Sequence, residues 1–249
     1  MSTGKVEQIL MRAIEGKRTI CFGLLDSEST GNQEAAEIAK TAENEGISAI
    51  LVGGSTIADQ IELNSLVKQI KEETKIPIIL FPGNITGVSP YADAILFTSL
   101  LNSDNPYFIT GAQALGASAV RKHLLEALPT AYIVVGEGGT TGFIGRARGI
   151  PPTKPDLAAM YALAAQYMGM RFLYLESGSG ASSPVSTELI TAVRKVYNGF
   201  LITGGGIKEP EAARAIAKAG ADAIVLGTLF ESNAYKTILP KIMKAVKED

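Results

Sequence analysis

The chain has 249 residues and a formal net charge of −2 at pH 7, enough length for one large domain with a full hydrophobic core. A nearly neutral chain gives no electrostatic reason to expect nucleic acid as a partner, and no apolar run is long enough to predict a membrane span. One cysteine excludes an internal disulfide, and one histidine without a cysteine cluster argues against a zinc site. The N-terminus has no signal-peptide pattern, so we expect a cytoplasmic protein.

Strand-like and helix-like stretches alternate from end to end. Continuous apolar runs predict parallel strands buried on both faces, and eight such runs cover residues 19–25, 49–52, 78–81, 94–98, 131–135, 172–175, 200–203 and 223–226. The stretches between them favour helices at 32–44, 57–73, 106–127, 154–167, 184–197 and 209–219. This order predicts an α/β fold, a TIM (β/α)8 barrel that takes residues 1–249 as a single domain. An open doubly wound sheet is the alternative.

Two segments depart from the regular alternation. Residues 82–93, between the third and fourth strands, contain two prolines and two glycines. They are too short and too broken for a regular helix, so the third outer helix is predicted to be missing or replaced. Residues 136–152 are long and rich in glycine, and this segment is either a lid or binding loop or a mobile surface loop.

Glycine-rich turns follow the last three predicted strands, at residues 177–180, 204–206 and 227–228. In TIM barrels the working residues lie at the carboxyl ends of the strands. Successive main-chain N–H groups in such turns bind oxyanions, and glycine lets the backbone come close to a ligand. A purely structural role would explain one glycine turn, whereas three turns on one face favour a phosphate site.

Polar side chains also stand at predicted strand ends. Asp26 either caps a helix or supplies a hard oxygen ligand to Mg²⁺, and Ser55 either assists it or caps the next helix. Glu176 directly follows an apolar strand, so desolvation would raise its pKa and suit it to general-base chemistry, with an ion pair to Arg or Lys as the alternative. Tyr174 faces the same side of that strand and either binds a ligand or fills the barrel.

With these residues the chain resembles the geranylgeranylglyceryl phosphate synthase family, archaeal prenyltransferases that make the first ether bond of membrane lipids. It is similar, more distantly, to the bacterial heptaprenylglyceryl phosphate synthases. The run Tyr-Leu-Glu-Ser-Gly-Ser-Gly at 174–180 is the most specific motif, and the runs at 24–26, 51–55, 204–207 and 226–228 extend the resemblance over nearly the whole chain. The family fold is a TIM barrel that lacks the third outer helix.

The resemblance implies transfer of the geranylgeranyl group from geranylgeranyl diphosphate to the 3-hydroxyl of sn-glycerol 1-phosphate, with Mg²⁺ as the cofactor. It implies a metal site at Asp26 and Ser55, and Glu176 is the candidate base. The implied glycerol 1-phosphate site comprises Tyr174, Leu175, Glu176, Ser177, Gly178, Ser179, Gly180, Gly205, Gly206, Gly227 and Thr228. A homo-oligomer and contact with a membrane surface are expected. A synthase with a longer prenyl donor, a sugar-phosphate isomerase or lyase, and a metabolite-binding protein are the alternatives.

Overall fold

Eight parallel strands close into one barrel in the computed structural model, in chain order, with β8 pairing back to β1. The structure describes residues 3–16, 19–26, 31–54 and 59–247. The strands are β1 (Ile20–Asp26), β2 (Ala49–Gly54), β3 (Ile78–Pro82), β4 (Ala94–Leu100), β5 (Glu126–Val134), β6 (Phe172–Glu176), β7 (Phe200–Gly204) and β8 (Ala223–Leu226). The predicted TIM barrel is therefore confirmed, and the open sheet is excluded.

Helices surround the barrel on all but one side. In the described residues they are α1 (Lys5–Ala13), α2 (Asn32–Asn44), α3 (Gln60–Glu73), α4 (Ala112–Lys122), α5 (Gly139–Ile144), α6 (Pro155–Tyr167), α7 (Thr187–Arg194), α8 (Pro210–Lys218) and α9 (Tyr235–Ala245). Residues 83–93, all of them described, form turns and bends without a helix between β3 and β4. The third outer helix is absent, as the sequence predicts. Within the described ranges, no helix is both long and apolar enough to cross a membrane.

The predicted helix at 106–127 is wrong at its C-terminal end, whereas its N-terminal end is helical as predicted. Its start, Tyr107–Gly111, is a π-helical turn that leads into α4, and its end gives way to β5 after the chain reverses at Leu124, whose φ is +56°. Alanine, leucine and glutamate at 125–127 favour helix by local propensity. Their state is instead set by pairing, because β5 runs beside β4 from Glu126 opposite Ala94 to Tyr132 opposite Leu100.

Helix α1 closes the amino-terminal end of the barrel. Its Val6 and Leu10 are buried in the same cluster as the first residues of several strands. The carboxylate of Glu126 accepts hydrogen bonds from the main-chain N–H groups of Val6 and Glu7, at 2.6 and 2.8 Å, and so caps the helix. Arg171 at the foot of β6 holds Glu7 through two hydrogen bonds of 2.7 and 2.8 Å. Helix α1 thus covers the amino-terminal end of the barrel, and the accessible end is the one formed by the carboxyl ends of the strands.

Cys21 lies in β1 with its side chain in the core between the barrel and the helices. Burial raises the pKa of its thiol to about 12. The thiol therefore stays protonated at neutral pH, so Cys21 serves packing and has no nucleophilic character. This agrees with the core position that its apolar neighbours in the sequence predict.

Candidate active site

A pocket of about 220 Å³ lies at the carboxyl ends of the strands. Most of the residues that the sequence singles out line it together: Asp26 at the end of β1, Tyr174 and Glu176 on β6, Ser179 beyond β6, Gly205 and Gly206 after β7, and Gly227 and Thr228 after β8. Residues far apart in the chain thus converge on one cavity. Ser55 lies outside the described residues.

The turns after β6 and β7 pack against each other so closely that glycine is required. Gly205 has a φ of +84°, and a Cβ atom on it would lie 2.6 Å from Oε1 of Glu176 and 2.6 Å from the carbonyl oxygen of Gly178. Gly206, with a φ of +69°, would bring a Cβ atom to 2.6 Å from the main chain of Ser183. Backbone in this region is strained for any other residue, so the glycines bring main-chain amides to the pocket wall.

Other residues of the 174–180 run support the turn without lining the pocket by their side chains. The side chain of Leu175 is packed in the core between the barrel and the helices, away from the pocket. Ser177 joins the turn to β7, because both its main-chain N–H and its hydroxyl donate to the carbonyl oxygen of Gly204 over 3.2 Å. The main-chain N–H of Gly178 is taken up by Glu176.

Glu176 is a buried carboxylate held by three donors. The main-chain N–H of Gly178 donates to Oε1 over 2.5 Å, the hydroxyl of Tyr132 donates to Oε2 over 3.1 Å, and the hydroxyl of Tyr174 is a third donor. Burial raises the pKa of Glu176 above its ordinary value, although all three hydrogen bonds act in the opposite direction. Glu176 takes part in none of the ion pairs among the described residues. Of the two interpretations of this residue, desolvation therefore holds and an ion pair with Arg or Lys does not.

Tyr132 is a site residue that sequence reasoning missed. It lies on β5 opposite Tyr174 in the strand register, and the two rings meet edge to face with centroids 5.1 Å apart. Phe81 packs on both rings, at 5.5 and 5.2 Å. The sequence feature that could have identified Tyr132 is its hydroxyl, which stands in an otherwise apolar predicted strand. A buried phenol needs a hydrogen-bond partner.

Part of the 136–152 segment forms a wall of the pocket. Thr141, Ile144 and Gly145, from α5 and its end, line the cavity. The base of the segment is tied down, because Gly136 N–H donates to the carbonyl oxygen of Ile150 over 2.8 Å. The binding-loop interpretation of this segment is therefore favoured over a mobile surface loop.

Asp26, the candidate metal ligand, lies at the end of β1 and lines the pocket. Its carboxylate lies against the end of β2, since a Cβ atom on Gly54 would come within 2.8 Å of Oδ1. The described residues contain no group of three or more His, Cys, Asp or Glu side chains arranged for a metal ion. Mg²⁺ commonly takes one or two protein oxygens and completes its shell with water and substrate phosphates, so a single carboxylate is compatible with this ion where a substrate supplies phosphate oxygens.

The pocket continues as an apolar arm into the space left by the missing helix. Ile95 and Phe97 project from the outward face of β4, which a third outer helix would cover, and both line the cavity. Across from them, Gly116 and Val120 of α4 and Val88 of the β3–β4 connection complete the wall. Helix spacing of four places Ala112, Gly116 and Val120 on one face of α4. The missing helix thus leaves a long apolar recess beside the polar site.

This fold and this pocket define a TIM-barrel protein with one cavity at the carboxyl ends of the strands, polar at one end and apolar along the other. The PcrB family model matches residues 12–247. The chain belongs to the PcrB family.

Relatives with assigned functions cover almost the whole chain. It is 57% identical over 243 residues to a geranylgeranylglyceryl phosphate synthase of Cenarchaeum symbiosum, with 98% of each chain covered. It is 52% identical over 229 residues to the enzyme of the same name from Pyrococcus abyssi, covering 92% of this chain and 91% of that one. A crystal structure of (S)-3-O-geranylgeranylglyceryl phosphate synthase from Thermoplasma acidophilum, in complex with sn-glycerol-1-phosphate, superposes with a TM-score of 0.94 at 39% identity and full coverage of both chains.

Proposed function

We propose that this protein joins the geranylgeranyl group of geranylgeranyl diphosphate to the 3-hydroxyl of sn-glycerol 1-phosphate, releasing diphosphate. The observation that carries the proposal is one pocket in which a buried carboxylate lies between a glycine-framed polar end and an apolar arm. Glycerol phosphate is small and polar and matches the polar end, whereas the prenyl donor carries a long hydrocarbon that matches the apolar arm. The names of the relatives support a geranylgeranyl group as the hydrocarbon, and the Thermoplasma acidophilum structure supports sn-glycerol 1-phosphate as the acceptor.

The polar end suits the glycerol phosphate. The turns after β7 and β8 contribute Gly205, Gly206, Gly227 and Thr228 to the wall, the position at which TIM barrels commonly bind phosphate. Main-chain N–H groups in such turns bind an anion without a basic side chain. The related Thermoplasma acidophilum enzyme was crystallised with sn-glycerol-1-phosphate, which supports the same ligand here.

Glu176 is placed to take the proton of the attacking hydroxyl. In the reaction the oxygen on glycerol carbon 3 forms a bond to the allylic carbon, the bond from that carbon to the diphosphate oxygen breaks, and diphosphate leaves with the electron pair. The hydroxyl proton passes to the carboxylate of Glu176. A raised pKa makes this carboxylate a stronger base than an exposed glutamate, which suits a general base working near neutral pH.

The rings around the carboxylate complete the site. Tyr174 and Tyr132 keep Glu176 oriented by hydrogen bonds, and Phe81 packs on both rings. Their aromatic faces form a dry wall next to the reacting carbon, where positive charge develops, and π faces attract positive charge. The arrangement also limits the access of water to the allylic carbon.

Asp26 and Ser55 would hold Mg²⁺ in this reaction. When bound, the ion supplies neutralisation of the diphosphate charge and so makes diphosphate a better leaving group. The support from this chain is the carboxylate of Asp26 at the pocket wall against the end of β2.

The apolar arm suits the prenyl chain. Ile95, Phe97 and Val120 present hydrocarbon surface along it, and burial of an isoprenoid there is favourable at about 25 cal/mol per Å² of apolar area. The arm begins at the polar site and extends over the outward face of β4. A long donor can therefore lie with its diphosphate at the strand ends and its tail in the recess.

The direct test is an assay with radiolabelled sn-glycerol 1-phosphate, prenyl diphosphates of graded length and Mg²⁺, with label followed into an organic extract. We expect label to be extracted with geranylgeranyl diphosphate as the donor, and not with the sn-3 enantiomer as the acceptor. Efficient turnover only with a longer donor would assign the heptaprenyl activity instead. No product with any donor, although glycerol phosphate binds, would contradict the proposal.

A further inference from the structure

Helix α5 contacts the surroundings of Glu176 at two points. The hydroxyl of Thr141 forms a hydrogen bond with the hydroxyl of Tyr132, which in turn donates to Oε2 of Glu176 over 3.1 Å. At the start of the helix, the Gly138–Gly139 backbone packs on the turn after β6, since a Cβ atom on Gly178 would lie 2.8 Å from the nitrogen of Gly139. The same Gly178 donates its N–H to Glu176.

The direction of the hydrogen bonds in this chain is fixed by chemistry. An ionised carboxylate only accepts hydrogen bonds, so the one hydroxyl proton of Tyr132 is donated in the hydrogen bond to Glu176. The oxygen of Tyr132 is then left as an acceptor, and the hydroxyl of Thr141 donates to it. Donation from Thr141 stabilises negative charge on the phenol and acts to lower the pKa of Tyr132, against a larger rise caused by burial. Thr141 thereby holds the Tyr132 hydroxyl in the orientation that serves Glu176.

We propose that Thr141 is a positioning residue that acts on the carboxylate of Glu176 through the hydroxyl of Tyr132. The inference rests on the proposed function, in which Glu176 is the base, and it adds a specific task for α5 and the 136–152 segment. Without the Thr141 donor, the Tyr132 hydroxyl is free to rotate away from Oε2. Glu176 would then lose part of one of its three stabilising hydrogen bonds while its burial is unchanged.

The consequence is a defined shift in the pH dependence. Hydrogen bonds from Tyr132, Tyr174 and Gly178 lower the pKa of Glu176, and burial raises it by more. Removal of a donor therefore raises the pKa of Glu176 further. Because the base must be ionised to act, activity is then lost at a higher pH than in the wild type as the solution is acidified. In the described part of the chain, the titratable groups that contact Glu176 are the two tyrosines, and Asp26, Lys208 and Glu231 line the same pocket. Among these groups, a change at Thr141 acts on Tyr132, whose hydroxyl loses its donor.

The experiment compares Thr141→Val, which keeps the shape and removes the hydroxyl, with Thr141→Ser, which keeps the hydroxyl. We expect the acid limb of kcat/KM against pH to move up by about half a pH unit in Thr141→Val, which is about a threefold loss at the foot of the limb, and to stay in place in Thr141→Ser. Tyr132→Phe should shift it by about one unit in the same direction. The double variant Tyr132→Phe/Thr141→Val should match Tyr132→Phe, because Thr141 acts only through Tyr132.

A second measurement separates this inference from the proposed function. Infrared difference spectra recorded against pH, with the carboxyl band assigned by its loss in Glu176→Gln, follow the ionisation of Glu176 without any turnover. We expect the midpoint to rise in Thr141→Val and not in Thr141→Ser, even if the substrate assignment were wrong. An unshifted midpoint in Thr141→Val, or a double variant shifted further than Tyr132→Phe alone, would overturn the proposal. Melting curves of each variant exclude general unfolding as the cause.

Discussion

The main-chain N–H of Gly178 donates to Oε1 of Glu176 over 2.5 Å, so a single hydrogen bond joins the buried carboxylate to the glycine-rich turn beside it. The turn after β7 meets the same two residues, because Gly205 lies against both Oε1 of Glu176 and the carbonyl oxygen of Gly178. The position of the proposed base and the shape of the proposed phosphate site are therefore set by the same contacts. A substitution at Glu176 should chiefly affect turnover, whereas a substitution in the glycine-rich turn should chiefly affect binding.

Glu176→Gln should abolish turnover and leave glycerol phosphate binding nearly intact. The amide oxygen can still accept from Gly178, but an amide cannot take a proton from the attacking hydroxyl. We expect kcat to fall by at least about 100-fold, while the Kd for sn-glycerol 1-phosphate, measured by calorimetry, changes by less than about threefold. Glu231→Gln, a second carboxylate that lines the pocket, is the matched control and should retain activity. Normal turnover in Glu176→Gln would remove Glu176 from the role of base.

Gly205→Ala should weaken the binding of sn-glycerol 1-phosphate. The added methyl group would lie 2.6 Å from Glu176 and from Gly178, on a backbone with a φ of +84°, so the turn must move. We expect KM for glycerol phosphate to rise by about 10-fold or more, which corresponds to about 1.4 kcal/mol.

The control for backbone strain is Gly169→Ala. Gly169 also has a positive φ, +78°, but a Cβ atom there meets nothing within 4 Å. It should cost about 1 kcal/mol of folding free energy, visible in denaturant titration, and leave KM unchanged. Equal KM values for Gly205→Ala and the wild type would show that this turn does not shape the phosphate site.

Removal of Mg²⁺ should stop the reaction, and Asp26→Asn should make the enzyme require more of the ion. An amide oxygen is a weaker ligand for a hard cation than a carboxylate. We expect EDTA to abolish product formation and added Mg²⁺ to restore it. The Mg²⁺ concentration at half-maximal rate should rise on the order of 10-fold in Asp26→Asn and stay unchanged in Glu231→Gln. Full activity in EDTA would contradict the proposed metal site.

Gly116→Leu should shorten the prenyl donor that the enzyme accepts. Gly116 lines the apolar arm within α4, and a Cβ atom there meets nothing within 4 Å, so a larger side chain would fill the arm. We expect kcat/KM to fall for geranylgeranyl diphosphate by at least about 10-fold and to fall less for shorter allylic diphosphates. Loss of a mid-helix glycine stabilises α4 by about 0.5 to 1 kcal/mol, so poor folding would not explain the result.

Ala117→Leu is the matched control for the apolar arm. Ala117 is its exposed neighbour on α4 and does not line the pocket, so this change should leave the donor preference as it is. An unchanged preference in Gly116→Leu as well would place the prenyl chain elsewhere.

The sequence predicted the barrel because each strand is a continuous apolar run of the kind that parallel strands require. It predicted the missing third helix because Pro82, Gly83, Gly87 and Pro90 break the segment. It also predicted the desolvation of Glu176 from its place directly after an apolar strand. These features are local, so they are visible in one short stretch of chain.

Features that depend on distant contacts were missed or misplaced. β5 begins at Glu126 because this residue pairs with β4 and its carboxylate accepts a hydrogen bond from the amino-terminal end of α1. These contacts override a local preference for helix. Tyr132 reaches Glu176 only because Tyr132 and Tyr174 lie opposite each other in the barrel register. The apolar arm is made by the absence of an element, so no motif in the sequence marks its lining.

The decisive comparison is product formation by the wild type and by Glu176→Gln, with sn-glycerol 1-phosphate and geranylgeranyl diphosphate as substrates. The product should be identified by mass spectrometry as the ether at glycerol carbon 3. We expect this ether from the wild type and at least about 100-fold less of it from Glu176→Gln, which still binds glycerol phosphate. A wild type that binds both substrates and forms no ether would exclude the proposed prenyl transfer, and a Glu176→Gln variant that forms it at the normal rate would exclude Glu176 as its base.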